Sequence, residues 1–214
     1  MFNESPYLES ILECIDLGFD LVMYTDENIS YEKQKENIIK VVKKAHLKGV
    51  AVEAEIASLP GAGEYISEKP DNFKFTQAAA AKNFVDETLI DLLAVNIGQA
   101  QLHGKQKVRL NIDKLKEIKK VVKIPLVLHG MSSINEEDVK ESIKNGISKV
   151  NISSLLKQAY FESIKNDILK LTGDINPYLV IGSGFKEDIN TKACIKVQEI
   201  VEKIMVLLGS AGKA

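Results

Sequence analysis

The sequence of 214 residues lacks the features that mark several classes of protein. Its 28 Lys and Arg side chains are balanced by 30 Asp and Glu, giving a formal net charge of -2, so charge gives no reason to expect binding to nucleic acid or to an anionic membrane. No apolar run reaches the roughly 18 residues that a membrane span needs. The opening MFNESPYLES has neither the basic nor the apolar region of a secretory signal. These absences predict a soluble, cytoplasmic protein.

Cysteine is also scarce. Cys14 and Cys194 lie far apart and form no CxxC motif, so we expect both to be reduced, buried, small apolar residues rather than a disulfide or a zinc site. The hydrophobic content of 45% is ample for a buried core, and no low-complexity segment or linker divides the chain. We therefore expect residues 1–214 to form a single domain.

One unit recurs along the chain: an amphipathic stretch, often a glycine, and then a short run rich in Val, Ile and Leu. Gly18, Gly49 and Gly146 each lie where a helix needs a left-handed residue to end. Strands that alternate with helices of this length predict right-handed βαβ units and a parallel sheet that is buried on both faces. The chain begins inside a helix-like segment, and five strands are predicted, in FDLVMYT, VAVEAEIA, LLAVNIG, PLVLHG and ISKVNIS.

Several polar residues fall at the carboxyl ends of the predicted strands, where parallel α/β folds place their chemistry. Glu53 and Glu55 are two apart in a strand, so both point to one side, and buried carboxylates need a cation or hydrogen bonds. The alternative is that they pair with lysines across the barrel. A histidine on an apolar strand, such as His129, is ordinarily a hydrogen-bonded core residue, and a metal ligand is the alternative. The residues at strand ends are Thr25, Glu53, Glu55, Asn96, His129 and Asn151.

The loop after His129 predicts an anion site. Ser133 begins the pattern SINE, a capping box that predicts the start of the next helix. A glycine loop with hydroxyls at a helix N-terminus offers backbone N–H groups and a positive dipole end to an anion such as phosphate. The next strand ends in VNISS, which adds an amide and two hydroxyls. The alternative is that this loop only caps its helix.

Four segments together resemble a known family. VAVEAEIASLPG, LLAVNIG, PLVLHGMSS and KVNISSLLKQAY resemble, in order and spacing, strands five to eight of the class II, zinc-dependent fructose- and tagatose-bisphosphate aldolases, and GFDLVMYT resembles their strand four. The resemblance covers nearly the whole chain. It implies a partial (β/α)8 TIM barrel with α/β architecture, corresponding to strands four to eight with C-terminal helices. It also implies reversible aldol cleavage of a ketose bisphosphate to dihydroxyacetone phosphate and an aldehyde, a reaction of carbohydrate metabolism.

The resemblance also implies a site. In the family, zinc held by three histidines polarises the ketone and an aspartate moves the proton. His129 would be the third zinc ligand, whereas Gln101 stands where the second histidine is expected and His103 lies two residues further on. The positions that the resemblance implies for the phosphate are Lys105, Gly130, Ser132, Asn151 and Ser154.

The departures from the family limit the expected activity. The family's first zinc histidine and its aspartate end strand three, and we place the start of this chain just after that strand. Metal binding would then need a local slip that recruits His103, or oxygen ligands from Glu53, Glu55 or Glu64. We expect this chain alone to be inactive. Two hypotheses remain. The chain is a class II aldolase whose first three strands are missing, either because it is a fragment or because a separate chain supplies them, or it is a non-catalytic protein that keeps a sugar-phosphate site or a homo-oligomer interface.

Overall fold

The structure is a computed structural model, and it describes residues 1–56, 59, 74–100 and 107–213. The chain forms two compact units, Met1–Asn151 and Ile152–Ala214. The expectation of a single domain over residues 1–214 stays a prediction.

The first unit is built on a parallel sheet. Its strands pair in sequential order, from β1 to β6, and every neighbouring pair is parallel. Over the described residues the sheet has six strands, one more than predicted, because the first strand precedes the segment where the sequence pattern begins. This strand, FNES, has no apolar run, which is the signal on which the other five were predicted. The strands are β1 Phe2–Ser5, β2 Leu21–Tyr24, β3 Ala51–Glu55, β4 Leu92–Ala94, β5 Leu126–Leu128 and β6 Ile147–Val150.

Among the residues that the structure describes, an α-helix lies between each pair of consecutive strands, as the sequence predicts. Gly18, Gly49 and Gly146 follow three of these helices with φ values of +86°, +68° and +115°, which confirms the left-handed positions that end them. The helices of this unit are α1 Leu8–Asp16, α2 Tyr31–Leu47, α3 Ala78–Thr88, α4 Ile112–Val121 and α5 Glu136–Lys144.

Strand β3 shows how the sheet separates apolar and polar chemistry. Val52 and Ala54 are completely buried, and so is Glu53 between them. Successive side chains of a strand point to opposite faces, so the apolar pair and the glutamates occupy different sides of the sheet. The apolar side packs beneath the helices, and the other side carries the polar residues.

The sheet is strongly curved, because side chains from its first and last strands meet. Asn3 Oδ1 of β1 lies 3.3 Å from the Nδ2 atom of Asn151, which directly follows β6. In a flat sheet with a strand spacing of ~4.8 Å, β1 and β6 would be about 24 Å apart. The sheet is therefore curled around an axis, like part of the wall of a barrel.

The second unit is helical over its described residues. Its helices are α6 Ser154–Ile168, the short α7 Pro177–Val180 and α8 Ile189–Leu208. The Asp188 side chain caps α8 by accepting hydrogen bonds from the N–H groups of Asn190 and Thr191. Tyr160 of α6 donates a hydrogen bond from its hydroxyl to Asn190 Oδ1 at 3.2 Å, which links α6 to the start of α8.

The structure bears on two predictions, the burial of the cysteines and the lack of a membrane-spanning helix. Both cysteines are free, and Cys14 of α1 is buried as expected, but Cys194 is exposed on α8. The expectation of burial was wrong for Cys194 because this position lies on a solvent-facing part of the helix. Within the described ranges, no helix combines the length and apolar character needed to cross a membrane.

Candidate functional site

Polar side chains from four strands meet inside the curled sheet of the first unit. They lie on or directly after strands, toward the carboxyl edge of the sheet, which is where parallel α/β folds place their sites. The set, which we call the central cluster, consists of Glu4 of β1, Glu53 of β3, His129 after β5, Lys149 of β6 and Asn151 after β6.

His129 is held between two carboxylates. Its side chain is 4% exposed, its Nδ1 lies 2.7 Å from Glu4 Oε1, and its Nε2 lies 2.8 Å from Glu53 Oε1. Burial by itself would lower the pKa of His129, but the hydrogen bonds to Glu4 and Glu53 outweigh it and raise the pKa to about 9. This raised pKa favours the protonated ring, in which each nitrogen can donate to the carboxylate beside it. The Nε2 atom also lies 2.8 Å from Asn151 Nδ2.

Glu53 is the most deeply buried carboxylate of the cluster. Burial would raise its pKa, but hydrogen bonds from His129 and Lys149 outweigh that effect and lower the pKa below its ordinary value. The Nζ of Lys149 donates to Glu53 Oε2 at 2.7 Å. A buried carboxylate persists only when it is paired and hydrogen-bonded, and Glu53 is paired on both of its oxygens. For Glu53, the structure thus shows the lysine pairing across the barrel that the sequence left open.

Asn151 belongs to the same cluster. Its Nδ2 donates to Glu53 Oε1 at 3.0 Å, and its Oδ1 accepts a hydrogen bond from Lys149 Nζ at 2.5 Å. The amide is therefore bound to the cluster's charged groups. The phosphate role expected for Asn151 stays a prediction.

Glu55 shares the interior face with Glu53, as the period of the strand predicts, but its environment differs. Glu55 is 5% exposed, and Thr25 donates a hydrogen bond from its hydroxyl to Glu55 Oε1 at 3.1 Å. The two strand-end residues Thr25 and Glu55 are therefore brought together. The Asn96 side chain makes a local contact within its own loop, where its Oδ1 accepts a hydrogen bond from the N–H of Gly98 at 3.3 Å.

Two members of the central cluster, Glu4 and Lys149, are not among the predicted site residues. Glu4 lies on β1, a strand that the sequence pattern does not predict. Lys149 lies within β6 and not at its end, where site residues are expected. Its signal was present, however: Lys149 is two residues before Asn151, so the period of a strand places both on one face. A register shift in β6, where Leu126 and Val127 pair with Ile147 and Lys149, lies directly before it.

The loop after β5 begins with a left-handed residue and continues as a short 3₁₀ helix. Gly130 has a φ of +70°, and the 3₁₀ helix spans Met131–Ser133. Helix α5 begins later, with Asn135 as its N-cap, so the capping box predicted at Ser133 is wrong. The physical reason is that the Ser133 hydroxyl donates to the carbonyls of Ala100 and Gly130 and is not available to cap a helix.

The predicted phosphate residues lie in different parts of the chain. Gly130 and Ser132 lie in one loop, and the carbonyl of Ser132 accepts a hydrogen bond from Lys107 Nζ at 2.5 Å. Ser154 is the first residue of α6, in the second unit. Their roles in phosphate binding stay predictions. The residues Glu64, Gln101, His103 and Lys105 lie outside the described residues.

The described residues do not fit a zinc ion. Among residues 1–56, 59, 74–100 and 107–213, no group of three or more His, Cys, Asp or Glu side chains could hold a metal. A histidine ligand must also offer the lone pair of a ring nitrogen, whereas both ring nitrogens of His129 lie within hydrogen-bond distance of carboxylates, at 2.7 and 2.8 Å. The zinc site implied by the resemblance is therefore not formed by this part of the chain.

Comparisons with known proteins identify the family. Residues 4–213 match the family described as fructose-bisphosphate aldolase class-II. A sulfofructosephosphate aldolase from Alkalicoccus urumqiensis is 34% identical over 145 residues, which are 68% of this chain and 50% of that protein. A fructose-bisphosphate aldolase from Streptococcus pneumoniae is 35% identical over 150 residues, 68% of this chain and 49% of that protein. The chain thus spans about half the length of these two curated relatives. A fructose-bisphosphate aldolase from Helicobacter pylori (strain J99) is 31% identical over 230 residues, 96% of this chain and 71% of that protein.

Solved structures show the same architecture. The YdjI aldolase from Escherichia coli K12 superposes with a TM-score of 0.75 at 27% identity, covering 96% of this chain and 67% of that one. A putative fructose-1,6-biphosphate aldolase from Coccidioides immitis gives a TM-score of 0.75 at 24% identity, covering 99% of this chain and 71% of that one, and supports the fold. The curled parallel sheet with its helices is therefore part of a (β/α)8 TIM barrel, as predicted. The chain belongs to the class II fructose-bisphosphate aldolase family.

Proposed function

We propose that this chain binds a phosphorylated ketose but does not, by itself, carry out zinc-dependent aldol cleavage. One observation carries the second part: His129 is held on both ring nitrogens, by Glu4 at 2.7 Å and Glu53 at 2.8 Å. Membership of the aldolase family supports the first part, since the relatives are named for fructose bisphosphate and sulfofructosephosphate.

The chemistry explains why this arrangement disfavours cleavage. Aldol cleavage breaks a carbon–carbon bond next to a carbinol and leaves an enediolate, whose negative charge must be stabilised by a cation or an electrophile. A base must also take a proton from the carbinol, and such a group typically contributes on the order of 10²–10⁴-fold in rate. The described residues do not fit a zinc ion. The raised pKa of His129, about 9, and its two carboxylate contacts disfavour the neutral ring that a base would need.

The loop after β5 supports ligand binding. Strands β5 and β6 are neighbours in the sheet, so Gly130 and Ser132 after β5 and Asn151 after β6 follow adjacent strands. Lys107 contacts this loop through the Ser132 carbonyl and brings a positive charge to it. A positive side chain beside a glycine-containing turn is a favourable setting for an anionic phosphate group. We therefore place the phosphate of the ligand at the Gly130–Ser133 loop.

Isothermal titration calorimetry of the purified chain tests the proposal. The ligands are fructose 1,6-bisphosphate, inorganic phosphate and unphosphorylated fructose. We expect saturable binding of the bisphosphate, weaker binding of phosphate and none of fructose. Ser132→Ala should weaken binding, whereas Ser210→Ala, an exposed serine of the second unit, should not. Absence of binding by any phosphorylated ligand would contradict the proposal, as would release of triose phosphate from the bisphosphate at an enzymatic rate.

Partner and location remain predictions. Self-association and a separate chain that supplies further strands are both testable by light scattering, alone and after co-purification from the native host. The cytoplasmic location expected from the sequence requires localisation of the tagged protein.

A further inference from the structure

Glu4 has an unusual backbone for a glutamate in a strand. Its φ is +49°, and the described part of the chain has one other non-glycine residue with positive φ, Leu89. Positive φ is unfavourable for a residue with a Cβ atom, and such conformations persist only where the surrounding structure holds them. The position of Glu4 therefore needs an explanation beyond strand pairing.

The positive φ of Glu4 coincides with an irregularity in the pairing of β1 with β2. Phe2 is opposite Val22 and Ser5 is opposite Tyr24, so β1 has one more residue than β2 over the same length. An extra residue of this kind is a β-bulge, which bends the strand and can re-aim a side chain. Adjacent side chains in a regular strand point to opposite faces, yet both Asn3 and Glu4 reach the central cluster. The irregular backbone thus allows Glu4 to face His129.

We propose that Glu4 is a positioning residue that locks His129 into a metal-free cluster, by occupying with its carboxylate the ring nitrogen that a metal ion would need. The contact joins β1 to the end of β5 across the interior of the sheet, at 2.7 Å. Glu53 occupies the other ring nitrogen and has Lys149 as its cationic partner. The side chains of the cluster thereby satisfy one another without a metal.

This inference rests on the second part of the proposed function and deepens it, because it names the residue that holds His129 away from a metal. It differs from the site implied by resemblance, in which His129 would face zinc. Absence of sugar-phosphate binding would contradict the proposed function and leave this inference intact, whereas unchanged ring signals of His129 in Glu4→Gln would contradict this inference alone.

The test uses proton NMR of the full chain together with thermal unfolding and metal analysis. We expect two slowly exchanging, downfield ring N–H signals from His129, assigned by their absence in His129→Gln. In Glu4→Gln the Nδ1–H signal should shift or disappear, while the Nε2–H signal facing Glu53 remains. A general loss of structure would affect both signals. A change in the Nδ1–H signal alone therefore distinguishes a positioning role of Glu4 from a merely structural one.

Two glutamate positions provide matched variants. Glu4→Gln should lower the melting temperature by roughly 2 to 4 °C, the shift that a loss of about 1 kcal/mol causes in a chain of this size, whereas Glu9→Gln, an exposed glutamate of α1, should not change it. Glu4→Gly should melt no lower than Glu4→Gln, because glycine adopts positive φ without strain. Zinc should neither raise the melting temperature nor remain with the wild-type chain through dialysis. Stoichiometric zinc that is lost in His129→Gln would overturn the proposal, and so would unchanged ring signals in Glu4→Gln.

Discussion

His129 Nε2 and Glu53 Oε1 lie 2.8 Å apart, although 76 residues separate them in the sequence. They come from β5 and β3, with β4 between these strands in the sheet. The contact therefore runs across the interior of the curled sheet and not along a strand pair. The contact places charged side chains in the interior of the curled sheet. The stability of the first unit should depend on keeping these charges paired.

The first prediction concerns Lys149. Lys149→Met keeps the length of the side chain and removes its charge, which leaves Glu53 buried with one cationic partner fewer. Removal of one partner from a buried ion pair typically costs 3–5 kcal/mol, and because Lys149 is 27% exposed we expect a loss of about 2 kcal/mol in the free energy of unfolding. Urea unfolding measures this change.

The matched control is Lys123→Met. Lys123 is an exposed lysine whose Nζ donates to the carbonyl of Lys120 at 3.0 Å. Its replacement should change the free energy of unfolding by less than about 0.5 kcal/mol. Equal effects of the two substitutions would show that the charge at the cluster has no special role.

The second prediction is that stability depends on pH through the same cluster. Folding raises the pKa of His129 from 6.5 to about 9, so its contribution is fully present below pH 6.5 and is lost as pH rises through 9. Folding lowers the pKa of Glu53 from 4.5, so its contribution is present above pH 4.5 and is lost as pH falls through the folded value. The free energy of unfolding should therefore be highest between these limits.

Urea unfolding at a series of pH values measures this dependence. The alkaline decline should be on the order of 3 kcal/mol for the wild type and should flatten in His129→Gln. An equal alkaline decline in both proteins would show that another group is responsible.

The third prediction concerns the loop after β4. A Cβ atom on Gly98, whose φ is +129°, would lie 2.8 Å from the carbonyl oxygen of Arg109. Gly18 has a φ of +86° and open space around it. Gly98→Ala should therefore destabilise the chain by roughly 3 kcal/mol, since backbone must shift, and Gly18→Ala by about 1 kcal/mol. Thermal unfolding of both variants compares the two losses of stability. Equal losses would contradict the claim that a Cβ atom at Gly98 meets the Arg109 carbonyl oxygen.

The sequence predicted most of the fold because local signals agreed with the global arrangement. Apolar runs of strand length alternate with amphipathic helices, and glycines such as Gly18 and Gly49 mark helix ends. The first strand was missed because its sequence, FNES, is mostly polar and has no apolar run. The start of α5 was misplaced because Ser133 and Asn135 are both good caps, and a tertiary contact to the Ala100 carbonyl engages the serine.

The site was predicted less completely, for a different reason. Glu53 and His129 were found because strand ends in parallel sheets carry chemistry, and Lys149 was within reach of the same periodicity argument. Glu4 was not, because its role depends on a bulge and on a φ of +49° that no sequence pattern predicts for glutamate. The partners of His129 were set by the curvature of the sheet, which brings strands distant in the sequence together.

The most direct test of the account is the rate of triose phosphate release from fructose 1,6-bisphosphate by the purified chain, measured against added zinc. The account predicts no release above background at any zinc concentration, in a preparation that still binds the bisphosphate by calorimetry. Release that saturates with zinc and disappears in His129→Ala would contradict it, because it would show that His129 leaves its two carboxylates to serve a catalytic metal.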